Sequence, residues 1–307
     1  FLNIKGLYKP EKILLKKIKF GGNLLGNDIN GYYFPRKNIN ILYFKLKNLG
    51  IESKVFFDNK KKLTKPSGIM KLDILDNNLF FNFDYNKSLK LSESSIKNKN
   101  LKAELNGYLQ FDPFFYFKIN TDIKRINYDK FNLKKIKHLL IKEISDKKLN
   151  GELVINNVTK KIIGKERTNK LSLNLLFNNG DIISDNSFIK FLNFDVKLKF
   201  YLKKYPSYKN LDYELSITND KINNFYKKID IKKNIKLNEI KILMNGNVNL
   251  EAQKYYFNNV KINAKDLKKN ELIKLKNYFD KNASIFLNGD LNEERVYLFL
   301  KELIEFI

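Results

Sequence analysis

Apolar and polar residues alternate one by one over much of this chain. In the segment LFFNFDY, residues 79–85, every second position is Leu, Phe, Phe or Tyr. A period of two predicts a β-strand with one face turned away from water. Eight further segments show the same alternation: 70–74, 101–111, 115–123, 171–177, 194–202, 211–217, 240–250 and 257–262.

Residues that favour turns separate these predicted strands. They are Asp76-Asn77-Asn78, Asn150-Gly151, Asn178-Asn179-Gly180 and Asn258-Asn259. The strands are apolar on one side only, whereas the strands of a parallel α/β sheet are apolar on both. The pattern therefore favours an antiparallel sheet with one face buried.

Amphipathic helices are fewer than strands and follow them. Apolar residues recur at helical spacing in 132–146, 220–228, 267–280 and 291–306. The last of these has Asp290 and Glu293 at the spacing of a capping box. We expect these short helices to lie against the ends of the sheet as lids or plugs.

A loose repeat also runs through the sequence. A strand containing Asn-Gly precedes a second strand and then a helix, starting at Leu105-Asn106-Gly107 and again at Met244-Asn245-Gly246. Leu287-Asn288-Gly289 is interpreted as the start of a third copy. The prediction is a mainly β protein whose elongated sheet grows by repeats. It forms a single β-rich region over residues 1–307, with 148–170 as the candidate place for a subdivision.

Composition adds a question about partners. Lys+Arg number 59 against 33 Asp+Glu, which gives a net charge of +26 and indicates nucleic acid or anionic lipid. The lysines are scattered among many Asn and Ile, as an AT-rich genome would impose, which favours solvated outer faces instead. Basic and aromatic residues do occur together in GYYFPRK (31–37) and KKYPSYK (203–209). No nucleic-acid module motif accompanies them, so nucleic-acid binding is kept as a second alternative.

No set of residues in the sequence indicates a catalysed reaction. It contains no Cys, and its single histidine, His138, lies in a predicted helix without nearby ligand partners. Asp181, Asp185 and Asp195 are expected to be exposed acids of a turn and strand. Nucleophile, metalloprotease and phosphate-loop motifs are missing. We therefore expect no enzyme activity, no cofactor and no metal site. No run approaches the ~20 apolar residues that span a bilayer, so an anchor or signal would lie outside this sequence.

Three segments together resemble a known family. They are ELNGYLQFDPFFYFKINTDIKRINYDKFNL, LNLLFNNGDIISDNSFIKFLNFDVKL and ITNDKINNFYKKIDIKKN. Their order of strands, turns and helices resembles that of the AsmA-like proteins of Gram-negative bacteria, relatives of the TamB-type envelope proteins. The resemblance covers roughly residues 50 to 300 and concerns the order and general pattern of the elements, without invariant motifs. The N-terminal membrane helix of that layout is not present here.

The resemblance implies a periplasmic protein, anchored in the inner membrane by a helix that precedes this sequence. Its bent, groove-like or taco-like sheet would bind phospholipid or another acyl lipid, for transport between the membranes or for outer-membrane maintenance. The residues predicted to face the lipid are Leu79, Phe81, Phe83, Leu105, Leu109, Phe111, Phe115, Phe117, Ile119, Val196, Leu198, Phe200, Ile242, Met244 and Phe257.

Two other interpretations remain open at this point. The same apolar faces would serve equally well as the closed core of a sandwich. The sheet edges would also suit an envelope assembly or structural factor that pairs with partner proteins strand by strand.

Overall fold

The protein is mainly β. The computed structural model describes residues 17–24, 27–58, 65–74, 77–126, 149–157, 168–191, 194–222 and 239–288. In these residues there are 17 strands, which belong to an open and mostly antiparallel sheet, and one α-helix. The predicted mainly β, antiparallel class is confirmed. The predicted helices 132–146 and 291–306, His138 and residues 223–228 of the predicted helix 220–228 lie outside the described residues.

The chain divides into two compact units, Phe1–Thr121 and Asp122–Ile307. A short 3-10 helix, Lys47–Leu49, connects the third and fourth strands of the first unit. The strands that begin in this unit are β1 (Ile18–Leu24), β2 (Asn27–Phe34), β3 (Ile39–Leu46), β4 (Ile51–Asp58), β5 (Ser67–Ile74), β6 (Asn77–Asn86), β7 (Ser88–Lys97), β8 (Leu101–Gln110) and β9 (Tyr116–Ile126).

Consecutive strands from β1 to β8 pair antiparallel, and their register places apolar residues on one face. One row across the strands runs Tyr33, Leu42, Val55, Met70 and Phe81. The neighbouring row on the opposite face is Lys19, Tyr32, Tyr43, Lys54, Lys71 and Phe80. The predicted strands 70–74, 79–85, 101–111 and 115–123 correspond to β5, β6, β8 and β9. Strands β1 to β4 and β7 were not predicted.

The second unit continues with strands and ends, among the described residues, in a helix. Its elements are β10 (Gly151–Asn157), β11 (Thr168–Asn178), β12 (Asp181–Phe191), β13 (Phe194–Lys204), β14 (Lys209–Asn219), β15 (Ile240–Asn249), β16 (Lys254–Ile262), β17 (Lys265–Asp266) and α1 (Lys269–Asn288). The remaining predicted strands correspond to β11, β13, β14, β15 and β16. The helix predicted over 267–280 is confirmed and extends to Asn288.

Helix α1 covers the apolar face of β15 and β16. The ring of Phe279 lies 5.3 Å from that of Tyr255 and 5.4 Å from that of Phe257, measured between centroids. The backbone N–H of Tyr255 donates a hydrogen bond to Asp280 Oδ1 at 2.9 Å. Leu275 and Val260 are completely buried in the same cluster. The largest core among the described residues therefore lies between this helix and these strands.

The turn predicted at Asn258-Asn259 was wrong. Asn258 and Asn259 lie inside β16, and the chain reverses at 250–253, where Gln253 has a φ of 53°. The chain does reverse between β5 and β6, where Asp76-Asn77-Asn78 was predicted as a turn, but Asn77 and Asn78 already belong to β6 and pair with Ile74 and Asp73. By contrast, the turn at Asn179-Gly180 is confirmed, with φ angles of 52° and 99°. Two positive φ angles in a two-residue loop match the twist of an antiparallel hairpin.

The third copy of the predicted repeat was also wrong. Leu287 and Asn288 belong to α1, because the helix continues past the point where a strand was expected. The copy beginning at Met244-Asn245-Gly246 is present as β15, β16 and α1.

A buried pair of hydroxyls lies where the register of β12 shifts. Ser184 Oγ and Ser187 Oγ are 2.6 Å apart, and Ser187 Oγ also accepts the backbone N–H of Asn174 at 3.1 Å. We expect Ser187→Ala to lower the free energy of unfolding by about 1–2 kcal/mol, since the buried hydroxyl of Ser184 and the half-buried N–H of Asn174 each lose a partner. Urea unfolding followed by circular dichroism measures this, with Ser216→Ala on β14 as the control. Equal losses in the two variants would contradict the expected role of the pair.

Candidate functional site

The predicted lipid-facing residues of β6 and β8 share one face of the first unit. Across β7, Leu79 is aligned with Ile96 and Ala103, and Leu109 is paired with Leu89. Leu79, Phe81 and Leu109 are half-buried, whereas Phe83 and Leu105 are buried. The structure therefore brings these five side chains to a common apolar surface, which we call the apolar face.

A glycine of β5 lies beside the apolar face, next to Phe83. Gly68 lies in register between Phe57 of β4 and Phe83 of β6. Because Gly68 has no side chain, the two rings meet above it, edge to face, with centroids 5.9 Å apart. Val55 and Leu91 complete this buried cluster. Phe57 and Gly68 were not predicted as site residues, although a glycine inside an aromatic sheet is the sequence signal for such a contact.

The remaining predicted residues of the first unit surround the connection between β8 and β9. Phe111 and Phe115 were predicted at strand positions, but they lie in the loop between Gln110 and Tyr116. Ring centroids are 5.8 Å apart for Phe111 and Phe115, and 6.2 Å apart for Phe115 and Phe117. Phe117 and Ile119 lie in β9 and are half-buried. Phe111 and Phe115 thus lie in the loop, beyond the strands that carry the five residues of the apolar face, and Phe115 connects the loop to β9 through Phe117.

The predicted residues of the second unit fall into two environments. Val196, Leu198 and Phe200 are half-buried along β13 and face Ile217, Leu215 and Tyr213 of β14. Ile242 and Met244 are 0% and 5% exposed in the core with α1. Phe257 is half-buried and packs against that same core. Ile242 and Met244 are therefore almost inaccessible to a ligand, whereas the half-buried side chains of β13 are partly accessible.

The opposite face of the first unit carries cations above aromatic rings. Lys54 Nζ and Lys71 Nζ lie 5.2 Å and 5.9 Å from the ring centroid of Phe56. Tyr32 stacks on Tyr43, with centroids 5.0 Å apart. These lysines extend over the sheet with their charge near solvent, which agrees with the interpretation of lysine-rich outer faces.

An open cavity of about 610 Å³ lies at one end of the first unit. Its apolar walls include Phe56, Phe57, Ile69 and Phe83. Asp58, Asp84 and several Asn and Ser side chains supply its polar walls. The volume is in the range of small-ligand sites. This cavity was not predicted from the sequence, because its lining residues come mainly from five strands that only the register brings together.

The acids considered from sequence do not form one site. Asp181 Oδ2 accepts the hydroxyl hydrogen of Tyr201 at 2.8 Å, and this bond, together with desolvation, raises the pKa of Tyr201. Asp195 pairs with Lys190 at 3.1 Å, while Asp185 is exposed. Within the part of the chain that the structure describes, no group of three or more His, Cys, Asp or Glu is placed to hold a metal ion. The same residues include no helix with the length and hydropathy to span a bilayer.

Comparison with protein-family models, with curated proteins and with solved structures gives no match. The resemblance to the AsmA-like proteins therefore stays a prediction.

The buried Tyr255 and the half-buried Tyr213 predict how the stability of the second unit changes at alkaline pH. Burial raises the pKa of Tyr213 and of Tyr255, and the nearby Asp280 adds to the effect at Tyr255. A raised pKa means that the stability contributed by the neutral phenol is complete below the unfolded pKa of about 10 and is lost as the pH rises above it. We expect Tyr213→Phe to move the alkaline unfolding midpoint upward. Circular dichroism against pH measures the midpoint, and an unchanged or lower value would contradict the expectation.

Proposed function

We propose that this chain is a non-enzymatic lipid-handling protein of the cell envelope, which holds phospholipid acyl chains against its apolar face. The observation that carries the proposal is the division of the first unit's sheet. Leu79, Phe81 and Leu109 remain half-buried on one face, while lysines occupy much of the other. A sheet with one apolar face and one charged face can bind a long apolar ligand on the apolar face.

Acyl chains demand little of such a surface. Each methylene removed from water contributes about 0.8 kcal/mol, and no directed polar contact is required. Half-buried rings such as Phe81 keep the exposed area that this contact uses. On this proposal the chain works in the periplasm, and a preceding inner-membrane helix, as the family resemblance implies, would hold it near its lipid source.

Neighbouring phenylalanines on opposite faces provide a matched test. Phe80 and Phe81 are both half-buried in β6, but only Phe81 lies on the apolar face. Protein purified without detergent would be extracted with organic solvent, and the extract analysed by mass spectrometry. We expect stoichiometric phospholipid in the wild type and in Phe80→Gln, and roughly tenfold less in Phe81→Gln, because a polar amide replaces the ring that contacts the acyl chain.

Two results would contradict the proposal. An empty wild-type extract would favour the assembly factor that pairs through its sheet edges. Equal amounts of lipid in the two variants, with circular dichroism confirming that each is folded, would show that the lipid is not bound at the apolar face. The ultraviolet absorbance ratio of the same preparation tests the nucleic-acid alternative directly.

A further inference from the structure

The loop between β8 and β9 exposes three phenylalanines within five residues. Phe114 is 77% exposed, Phe111 53% and Phe115 38%. Scattered exposed apolar residues are ordinary on a protein surface, but a contiguous group at a hairpin tip marks an interaction site. Phe114 was not among the predicted lipid-facing residues. We call residues 111–115 the aromatic tip.

Cations lie at the same end of the sheet as the aromatic tip. Ser88 pairs with Gln110, so the loop at Lys87 is beside the tip, about 10 Å away at the usual strand spacing. The pairing of Ser67 with Asp84 brings Lys65 to this end as well. Lys65, Lys87 and Lys90 are exposed.

Both acidic and basic residues lie at this end of the sheet. Asp112 lies within the tip, and Asp58 and Asp84 lie at neighbouring strand ends. Arg36 and Lys37, in the loop between β2 and β3, are also at this end. The chain as a whole carries a net charge of +26. Exposed aromatic rings with basic residues such as Lys87 at the same end of the sheet are complementary to a surface that is anionic outside and apolar beneath.

We propose that the aromatic tip docks this end of the first unit on a bilayer that contains anionic phospholipid. Phe111, Phe114 and Phe115 enter the boundary between headgroups and acyl chains, where aromatic side chains bind by apolar burial. Lys65 and Lys87 stay among the headgroups, where each cation adds to the attraction. The docking uses residues of the loop between β8 and β9, whereas acyl-chain binding is proposed for residues of β6 and β8.

The absence of tryptophan from the sequence allows a direct test. Phe114→Trp introduces a single fluorescent reporter at the most exposed ring of the tip. With vesicles of phosphatidylcholine and phosphatidylglycerol, we expect its emission to shift to the blue and to be quenched by brominated acyl chains. Vesicles of phosphatidylcholine alone should give a weaker response. Ile273→Trp, at a 47% exposed position of α1, is the matched control and should show neither change.

Cosedimentation with the same vesicles measures separately how the apolar ring of Phe114 and the charge of Lys87 contribute to vesicle binding. Phe114→Ser is expected to bind about tenfold more weakly to anionic vesicles, since it removes a large apolar side chain. Lys87→Asn is expected to bind about fivefold more weakly to anionic vesicles and equally to neutral ones, since it removes one charge. Asparagine suits this position because Lys87 has a φ of 66°.

Three results would overturn the proposal: no binding of the wild type to anionic vesicles, unchanged Phe114→Trp emission, or full binding by Phe114→Ser. Phe81→Gln distinguishes this proposal from the one for the apolar face, because it should lose extractable lipid and still bind vesicles. Vesicle docking with an empty extract would leave the docking intact and refute the acyl-chain site. Extractable lipid without vesicle docking would do the reverse.

Discussion

Replacement of Phe279 by alanine is expected to lower the free energy of unfolding of the second unit by about 3–5 kcal/mol. The ring is 4% exposed and contacts the rings of Tyr255, Phe257 and Tyr278. Its removal leaves a cavity between α1 and the sheet, which the surrounding backbone fills only in part. This is an appreciable fraction of the 5–15 kcal/mol that stabilises a typical domain.

Ile273 provides the control on the same helix. It is 47% exposed, so Ile273→Ala removes little buried surface and should change the free energy of unfolding by less than about 1 kcal/mol. Urea unfolding followed by circular dichroism at the helical band compares the two variants with the wild type. If Phe279→Ala lost no more stability than Ile273→Ala, α1 would not be packed against β15 and β16 as the structure shows.

Strands were predictable where alternation keeps one phase from end to end. In β13, the residues Phe194, Val196, Leu198 and Phe200 hold a single period, and this strand was predicted. In β7 the phase changes, because Glu93 has a φ of 46° and the register shifts between Leu91 and Ser94. A bulge places two residues opposite one, so apolar positions on either side of it fall out of step. A search for strict alternation therefore misses β7.

Strands β2 and β3 were missed for a different reason. Their outer face is aromatic as well, with Tyr32 stacked on Tyr43 and Phe34 beneath the guanidinium of Arg36 at 4.7 Å. Apolar residues on both faces remove the contrast on which alternation depends. Here the hydrophobic pattern alone does not distinguish a strand with an aromatic, cation-covered outer face from other apolar segments.

The sequence predicts which side of a strand the candidate site residues lie on, but not whether that side is exposed or covered. Alternation correctly placed Phe81 and Phe83 on one side of β6, and Ile242 and Met244 on one side of β15. Alternation does not predict whether another element covers that side of the strand. Met244, for example, is covered because it belongs to the core that includes α1. The aromatic tip was hidden similarly, because the apolar period continues across Asp112-Pro113. Proline has no N–H to donate, so the strand pairing ends before it.

Replacement of Gly246 by alanine is the second large effect that the fold predicts. Gly246 lies in β15 at the register shift opposite β16. A Cβ atom there would be 2.0 Å from the carbonyl oxygen of Tyr256 and 3.0 Å from the hydroxyl of Tyr213. Relieving the first contact requires a movement of the backbone, so we expect Gly246→Ala to lower the free energy of unfolding by about 3 kcal/mol.

Gly21 in β1 is the matched control for this substitution. Its Cβ would meet the movable side-chain oxygen of Asn30 at 3.1 Å, and its nearest backbone contact would be 3.7 Å away. Gly21→Ala should therefore change the free energy of unfolding by less than about 1 kcal/mol. Tyr213→Phe in the Gly246→Ala background should restore little of the loss, because the carbonyl of Tyr256 remains in place. Urea unfolding of the three variants measures these differences, and full restoration by Tyr213→Phe would show that the hydroxyl, and not the neighbouring strand, excludes a side chain at Gly246.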